Sequence, residues 1–374
     1  MSFAEALDSL ALRKSPLLRR FDELIAPKSD EELETLARQA HALTLKNFGR
    51  TMRLFAPLYL SNECINNCRY CGFSRDNPIL RVTLSVEQVV LEGRHLAREG
   101  FRHVLLVAGE HPKFVSQNYL ADCVRALALD FSSIAIEVGP METADYVPIV
   151  EAGAESLVVY QETYDRGSYA ELHTAGPKRD FNWRLACAER GYAAGFRRLG
   201  IGALFGLCRW QEEALALAAH TEYLLKHCWQ AQITVSLPRL RPAAGEFHPP
   251  FSITDRELAQ LIAAFRITFP EVGIVLSTRE RAALRDALAP VGVTMMSAGS
   301  HTEPGGYTHQ GRDELHRTVR GRIVAPEFEK GEDMLATGQF EISDARSPAE
   351  VADALRKRGF DPVWKDWDAA LLAT

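Results

Sequence analysis

The stretch PLYLSNECINNCRYCGFS, residues 57–74, joins an apolar run to three closely spaced cysteines. PLYLS has the character of a buried strand, and the polar segment after it carries Cys64, Cys68 and Cys71 in the spacing C-x3-C-x2-C. A structural zinc site normally takes four ligands, and a disulfide takes two cysteines. Three thiols in eight residues therefore indicate another kind of centre at the end of a strand.

This strand is the first of eight short apolar or β-branched runs, which begin near residues 56, 103, 133, 156, 199, 233, 273 and 293. Amphipathic segments of helical length separate most of them; SVEQVVLEGRHLAREG, for example, starts at Ser85 and ends at Gly100. Alternating strands and helices imply parallel pairing with right-handed crossovers. Eight units over about 250 residues predict a (β/α)8 barrel of the TIM type. The alternative is an open doubly wound sheet, which the missing G-x-G-x-x-G fingerprint disfavours.

The segments on either side of the barrel have a different pattern. Residues 1–50 predict an N-terminal helical extension, residues 51–300 the barrel, and residues 301–374 a C-terminal extension packed on the barrel. We expect Trp364 and Trp367 to anchor that tail.

The overall composition excludes several classes of protein. The net charge of −6 over 374 residues argues against nucleic-acid binding. No apolar run reaches the roughly 18 residues of a membrane-spanning helix, and the N-terminus does not resemble a signal peptide. We therefore expect a cytoplasmic enzyme that binds neither nucleic acid nor membrane.

The remaining cysteines do not form a disulfide framework, because they are scattered singly at Cys123, Cys187, Cys208 and Cys228. Three of them lie in helical patterns and are expected to be buried. Cys208 follows a predicted strand, so its role stays open.

Iron–sulfur clusters are held by cysteine thiolates, usually four for a [4Fe–4S] cluster. With three, one iron keeps an open position that an amine and a carboxylate of a small molecule can chelate. Zinc is the alternative, but it normally uses C-x2-C pairs, and no second pair exists in the chain. Chance clustering of buried cysteines is disfavoured because Asn66, Asn67 and Arg69 make the loop polar.

The active site of a parallel barrel forms at the C-terminal ends of its strands. Polar residues or glycine follow nearly every predicted strand here, which predicts one roomy shared site. They are Gly109–His111, Glu137–Pro140, Gln161–Tyr164, Gly206, Arg239, Arg241, Ser277–Glu280, Ser297 and Ser300.

The cysteine motif, with the aromatic Tyr70 before its last cysteine and a barrel strand before it, resembles that of the radical SAM superfamily. The resemblance implies a [4Fe–4S] cluster whose open iron binds S-adenosyl-L-methionine (SAM). One electron from the reduced cluster then cleaves SAM to methionine and a 5′-deoxyadenosyl radical, which abstracts hydrogen from the substrate.

Longer strings narrow the resemblance to the aromatic amino acid lyases of that superfamily, and within them to the family that makes 2-iminoacetate for thiamine. They span residues 50 to 370 and include LLVAGEHP (105–112), VVYQETY (158–164), GPKRDFNWRL (176–185), VSLPRLRP (235–242), LSTRE (276–280) and SAGSHTEPGGY (297–307). The related hydrogenase maturase carries a further C-terminal cysteine cluster, and no cysteine follows Cys228 here. Residues 311–345 depart from the family pattern.

The resemblance implies that L-tyrosine is cleaved at its Cα–Cβ bond into 2-iminoacetate and p-cresol. It also implies a thiazole synthase partner that receives the imine, and a flavodoxin or ferredoxin as electron donor. Two alternatives stay open. One is the same chemistry on L-tryptophan, giving an indole acid; the other is a non-catalytic iron–sulfur carrier or zinc-stabilised binding protein, which would need no SAM pocket.

The family pattern also implies roles for individual residues. Cys64, Cys68 and Cys71 would bind the cluster, Tyr70 the SAM adenine, Gly109 and Glu110 the SAM ammonium, and Glu162 with Arg184 the SAM ribose and carboxylate. Arg184 could instead be an ordinary residue on the helix surface, and Tyr70 could instead brace the loop.

The substrate pocket follows from chemistry, because a tyrosine carboxylate needs a cation and arginine offers a bidentate fork. Arg279 is the first candidate among the strand-end arginines, ahead of Arg239 and Arg241. Tyr59 and Ser277 are predicted to line the same space, with core packing as the alternative.

Overall fold

The computed structural model describes residues 3–4, 15–319, 322–325 and 334–364. Eight parallel strands form a closed barrel, in which β10 returns to pair with β1. The barrel strands are β1 (Thr51–Ser61), β3 (His103–Ala108), β4 (Ser133–Glu137), β5 (Ser156–Val158), β7 (Arg198–Gly202), β8 (Gln232–Ser236), β9 (Gly273–Leu276) and β10 (Met295–Ser297). The (β/α)8 prediction is confirmed, and closure of the sheet excludes the open doubly wound alternative.

The described helices mostly cover the outside of the barrel. They are α1 (Pro16–Ile25), α2 (Asp30–Phe48), α3 (Val86–Arg98), α4 (Gln117–Leu127), α5 (Thr143–Glu151), α6 (Arg166–Leu172), α7 (Phe181–Leu185), α8 (Cys187–Ala194), α9 (Trp210–His227), α10 (Asp255–Thr268), α11 (Ala282–Leu288) and α12 (Pro348–Lys357). Four of them begin with a capping box, in which a serine or threonine and the glutamate or glutamine three residues later satisfy each other's backbone amides.

Five short strands lie outside the barrel closure. β2 (Asn67–Cys68) pairs antiparallel with β6 (His173–Ala175), and β11 (Arg317–Val319) pairs antiparallel with β12 (Arg322–Val324). β13 (Asp361–Val363) lies parallel to the start of β1.

The tail after residue 300 packs back on the barrel. Trp364 meets Phe101 edge to face at 5.0 Å, and its carbonyl accepts a hydrogen bond from the Arg102 amide. Trp367, the other predicted anchor, lies outside the described residues. Among those that are described, no helix is long and apolar enough to cross a membrane.

The barrel contains two hydrophobic layers. The larger lies between strands and helices; the smaller lies inside the barrel, where Phe55, Tyr59, Phe73, Leu105 and Val107 pack together. This inner cluster lies inside the barrel, next to the residues at the C-terminal ends of the strands.

Candidate active site

The cysteine loop begins where β1 ends, and a buried arginine, Arg81, is hydrogen-bonded to its backbone. The Arg81 guanidinium donates to the carbonyls of Asn62, Phe73 and Ser74 at 2.6–3.2 Å. The Asn77 side chain donates to the carbonyls of Cys71 and Gly72. These bonds fix both ends of the loop, so the three thiols are presented by a defined backbone.

Cys64, Cys68 and Cys71 line one cavity, and all three are free thiols. Burial raises the pKa of each thiol, while the ammonium of Lys178 acts in the opposite direction. Amide donors approach two of the sulfurs: Asn66 Nδ2 lies 3.8 Å from Cys64 Sγ, and Gln339 Nε2 lies 4.0 Å from Cys71 Sγ.

This donor set fits a [4Fe–4S] cluster with one open iron, because it offers three thiols, amide donors to sulfur and an adjoining cavity. Among the described residues, no group of three or more His, Cys, Asp or Glu side chains converges as a single metal ion requires. A cubane places each thiolate on a separate iron, so its ligands do not converge on one point.

The end of β3 passes close to the cysteine loop. A Cβ atom on Gly109 would lie 2.2 Å from the Glu63 carbonyl oxygen and 3.2 Å from Cys64 Cβ. Only glycine fits there without moving the loop. The next residue, Glu110, accepts a hydrogen bond from Asn66 Nδ2 at 2.6 Å, and its side chain lines the cysteine cavity.

A buried charge cluster lies on the other side of that cavity. Glu162 Oε1 accepts from Lys178 Nζ at 2.7 Å and from Arg184 Nη2 at 3.2 Å. Burial by itself would raise the Glu162 pKa, but the two cations lower it below its ordinary value. Glu162 also has φ of 74°, which is uncommon for a residue other than glycine. Arg184 is 9% exposed and lines the cysteine cavity, so it is not on the surface of its helix, while its role toward SAM stays a prediction.

Lys178 is absent from the predicted site, although it lies in the GPKRD string. Its carboxylate partner is 16 positions earlier in the chain, so no local spacing links the two. Its ammonium also lies 5.6 Å from the centre of the Tyr70 ring.

Tyr70 is buried, and its hydroxyl bonds to His173 Nε2 at 2.7 Å. Its ring lines a small cavity together with Cys71, Glu162 and Arg241. The ring is thus both braced by His173 and placed beside the charge cluster.

A second cavity lies inside the mouth of the barrel, and Tyr59, Ser277 and Arg279 all line it. The Arg279 guanidinium lies 3.4 Å from the centre of the Phe340 ring, and burial lowers the Arg279 pKa. Tyr59 donates its hydroxyl to Gln339 Oε1 at 2.8 Å. The three predicted substrate residues are therefore brought together.

The other two arginine candidates are placed differently. Arg239 is bound to the carboxylates of Glu280 and Asp255, so its fork is already used within the protein. Arg241 lines the small cavity near Tyr70 together with Arg279. Cys208 lies 3.8 Å from the Glu212 carboxylate and lines neither the cysteine cavity nor the cavity of Arg279.

Glu137, at the end of β4, lines both the cysteine cavity and the cavity of Arg279. Burial raises the pKa of Glu137 to about 7, with the negative charge of Glu162 adding to the effect. The sequence places this glutamate at a strand end, but nothing in its local pattern separates it from the other polar strand ends.

Gln339 also lines both cavities and belongs to residues 311–345, from which the sequence predicts no function. The backbone carbonyl of Gln339 accepts from the Gly72 amide at 3.1 Å. The tail therefore completes the wall between the two cavities.

The chain is similar to known proteins. The profile of the Radical SAM superfamily matches residues 58–218, and that of the Biotin and Thiamin Synthesis associated domain matches residues 236–361. The chain is 40% identical to 2-iminoacetate synthase of Escherichia coli (strain K12) over 93% of this chain and 86% of that protein. It is 38% identical to 2-iminoacetate synthase of Salmonella typhimurium over 98% and 90%, respectively.

A solved structure is also similar. The X-ray structure of the FeFe-hydrogenase maturase HydG from Carboxydothermus hydrogenoformans superposes with a TM-score of 0.82 at 35% identity. The match covers 97% of this chain and 79% of that one.

Proposed function

The chain belongs to the 2-iminoacetate synthase family of radical SAM enzymes, and on that premise we propose that it cleaves the Cα–Cβ bond of L-tyrosine to 2-iminoacetate and p-cresol. The observation that carries the proposal is a partly buried guanidinium and a partly buried carboxyl group, Arg279 and Glu137, which line one cavity adjoining the three cysteines. A zwitterionic amino acid needs such a pair beside the radical source. A non-catalytic iron–sulfur carrier has no use for it.

Cys64, Cys68 and Cys71 hold the [4Fe–4S] cluster of this family, and the cavity beside them holds SAM. When bound, the reduced cluster and SAM supply the 5′-deoxyadenosyl radical that abstracts hydrogen from the substrate. The chain's own residues position SAM: Gly109 and Glu110 receive its ammonium, and the Glu162 cluster its ribose and carboxylate.

Lys178 and Arg184 keep Glu162 ionised in a buried place. A carboxylate held in this way can accept hydrogen bonds from the two ribose hydroxyls, since an ionised carboxylate is an acceptor only. Arg184, which also donates to the Tyr160 carbonyl at 2.7 Å, has its guanidinium fixed in direction. Tyr70 offers its ring to the adenine, with its hydroxyl anchored by His173.

Arg279 binds the carboxylate of the substrate through its planar fork. Glu137 pairs with the α-ammonium and accepts one of its protons, leaving a neutral amine on the substrate and a carboxylic acid on Glu137. The aromatic ring of the substrate extends toward the apolar floor, where Phe55, Leu105 and Val275 line the cavity. Tyr59, Ser277 and Gln339 complete the polar part of the wall.

The imine product hydrolyses in water, so its release has to be coupled to its use. A thiazole synthase that receives 2-iminoacetate directly is the partner we propose, and a flavodoxin or ferredoxin is the proposed electron donor. Enclosure of the cavity by the barrel and by Gln339 and Phe340 of the tail limits water entry before release.

The test is anaerobic incubation of the reconstituted enzyme with SAM, dithionite and either L-tyrosine or L-tryptophan. We expect deoxyadenosine and p-cresol in equal amounts with tyrosine, together with glyoxylate from hydrolysis of 2-iminoacetate. An indole acid from tryptophan without p-cresol from tyrosine would overturn the substrate. Absence of deoxyadenosine from protein that contains iron and sulfide would favour the carrier.

A further inference from the structure

The outer side of the cysteine loop has an opening of its own. A surface cavity reaches Cys64, and its lining includes Glu63, Arg75, Asp76, Arg81 and Thr318. It shares Cys64 with the cavity that holds the three cysteines and none of that cavity's other lining residues. Cys64 is thus approached from two sides, one inside the barrel mouth and one from the surface.

The β11–β12 hairpin is fastened beside this opening. His316 Nε2 bonds to Glu63 Oε1 at 2.6 Å, and the Thr318 hydroxyl donates to the same oxygen at 3.2 Å. The backbones of Arg81 and His316 exchange two hydrogen bonds, at 2.8 and 3.0 Å. The residue next to a cluster ligand is therefore tied directly to the hairpin.

One face of the hairpin exposes both arginine and valine side chains to solvent. Thr318 faces Glu63, so Arg317 and Val319 lie on the opposite face of β11. Their cross-strand partners are Val324 and Arg322, and directly paired residues share one face of a ladder. Val319 is 52% exposed and Val324 47%, and both arginines are exposed. Two cations and two apolar side chains thus form one outward patch.

The cysteine loop carries further positive charge, and one of its arginines, Arg75, lines the opening. Arg69 and Arg75 are exposed on the cysteine loop itself. The two acids that line the opening are already engaged: Asp76 by Arg75 and Asn67, and Glu63 by His316 and Thr318. The whole chain has a net charge of −6, so the four exposed arginines on the cysteine loop and the hairpin contrast with its overall charge.

We propose that this face is the docking surface for the electron donor, a small acidic redox protein. The electron-entry face consists of Arg69, Arg75 and the patch of Arg317, Val319, Arg322 and Val324. The inference rests on the proposed function, since only a reducible cluster at Cys64 needs a donor. One electron leaves the donor's cofactor, which is oxidised, and enters the cluster, which is reduced.

Distance and charge both support this occupant. Electron transfer slows steeply with distance, and the hairpin that carries the patch is bonded through Thr318 to Glu63, the neighbour of Cys64 in the chain. A net-negative chain repels an acidic donor in most orientations, so a local basic face guides it to the productive one. Redox partners use small interfaces that form and separate quickly, and four arginines with two valines suit that use.

The experiment compares two reductants on the same reconstituted full-length enzyme. Arg317→Glu/Arg322→Glu is assayed for deoxyadenosine formation with dithionite, which needs no docking surface, and with an acidic flavodoxin reduced by its reductase. We expect the flavodoxin-driven rate at limiting flavodoxin to fall about tenfold or more and the dithionite-driven rate to change less than about twofold. Added salt should slow only the flavodoxin-driven rate of the wild type.

The matched control is Arg19→Glu/Arg20→Glu on α1. Both residues are exposed, the change in charge is identical, and α1 packs on α9 and α10 rather than on the cysteine loop. It should leave both rates near those of the wild type.

The two reductants distinguish a wrong docking surface from a wrong proposed function. An unchanged flavodoxin-driven rate in the hairpin variant overturns the docking surface while leaving the proposed function intact. Equal losses with both reductants also overturn it, because the hairpin then acts only by supporting the cluster loop. If the variant loses only transfer of the imine to thiazole synthase, the face belongs to that partner and the electron-donor assignment is wrong. No deoxyadenosine from wild-type enzyme with dithionite is a failure of the proposed function itself.

Discussion

At the scale of single residues, Lys178 is the side chain whose removal tests the SAM pocket most directly. Lys178→Met leaves Glu162 with Arg184 as its remaining cation in a buried place. We expect SAM to bind at least about tenfold more weakly, and the free energy of unfolding to fall by about 2 kcal/mol, typical for a lost bond to a charged group. Lys178→Arg keeps the charge and should recover most of the binding.

Titration calorimetry with the reconstituted enzyme measures the SAM affinity, and thermal melting measures the stability. Wild-type SAM affinity in Lys178→Met would show that this cation plays no part in the pocket.

The raised pKa of Glu137 predicts that activity depends on pH. Its pKa of about 7 in the empty cavity means that the carboxylate is protonated below that pH and unable to pair with an ammonium or accept its proton. We therefore expect kcat/KM for tyrosine to rise as pH increases through about 7. Glu137→Gln should lower kcat/KM by about 100-fold and remove this rise, because general base catalysis contributes about that much.

Glu142→Gln, at an exposed glutamate a few residues later, is the control and should keep the wild-type profile. A rise of the same size in Glu137→Gln would assign the titration to another group.

At the scale of elements, the close approach of β3 to the cysteine loop is set by Gly109. Gly109→Ala puts a methyl group 2.2 Å from the Glu63 carbonyl, so strand and loop have to separate. Overpacking of this kind costs about 1–3 kcal/mol. We expect a lower melting temperature and weaker SAM binding, measured on protein with the wild-type content of iron and sulfide.

Gly167→Ala is the control for that substitution. Its added Cβ meets only the flexible Asp165 carboxylate at 3.3 Å, and alanine is favoured in a helix. It should leave SAM binding unchanged; weaker binding in this variant too would make the Gly109 effect nonspecific.

The elements that the sequence predicts well are those with a long periodic signal. All eight barrel strands are confirmed, and Ser85 caps the start of α3. The short β2, β6 and β13 escape prediction because strands of two or three residues carry no measurable period. The β11–β12 hairpin escapes for the same reason.

At the scale of the whole molecule, a buried ion pair joins the tail to the barrel. Asp344 accepts from Arg285 of α11, and Arg346 donates to Asp344 and to Asp286. Breaking a buried pair by removing one partner costs about 3–5 kcal/mol. We therefore expect Asp344→Asn to lower the free energy of unfolding by about 3 kcal/mol in denaturant titrations.

The pair also predicts acid sensitivity. Burial opposes ionisation of Asp344, but Arg346 and Arg285 outweigh it and lower the Asp344 pKa. The stabilisation is therefore present above the ordinary aspartate pKa and is lost as pH falls through the depressed one. Asp344→Asn should lack this loss. The control is Asp353→Asn, which removes one partner of an exposed pair with Arg356 and should change the free energy of unfolding by less than about 0.5 kcal/mol. A loss as large as that in Asp344→Asn would show that the buried pair has no special role.

The division of the chain at residues 50 and 300 stays a prediction, although the tail clearly contributes to the site. Gln339 lines both cavities and Phe340 packs on Arg279. Phe340, which lines the same cavity as Arg279, thus lies some 60 positions after it in the chain.

The sequence by itself determined the barrel, through the period of its strands, and it grouped three cysteines in one loop; the chemistry followed from the resemblance of that loop and of longer strings to a known family. Strand period, helix caps and C-x3-C-x2-C are readable within a few residues of one another. Only the tertiary structure decided that Lys178 and Arg184 share Glu162, that Glu137 joins two cavities, that Arg239 is already paired, and that a basic hairpin lies beside Cys64. These are contacts between separate strand ends, and their partners are chosen by closure of the barrel and by the path of the tail rather than by any spacing along the chain.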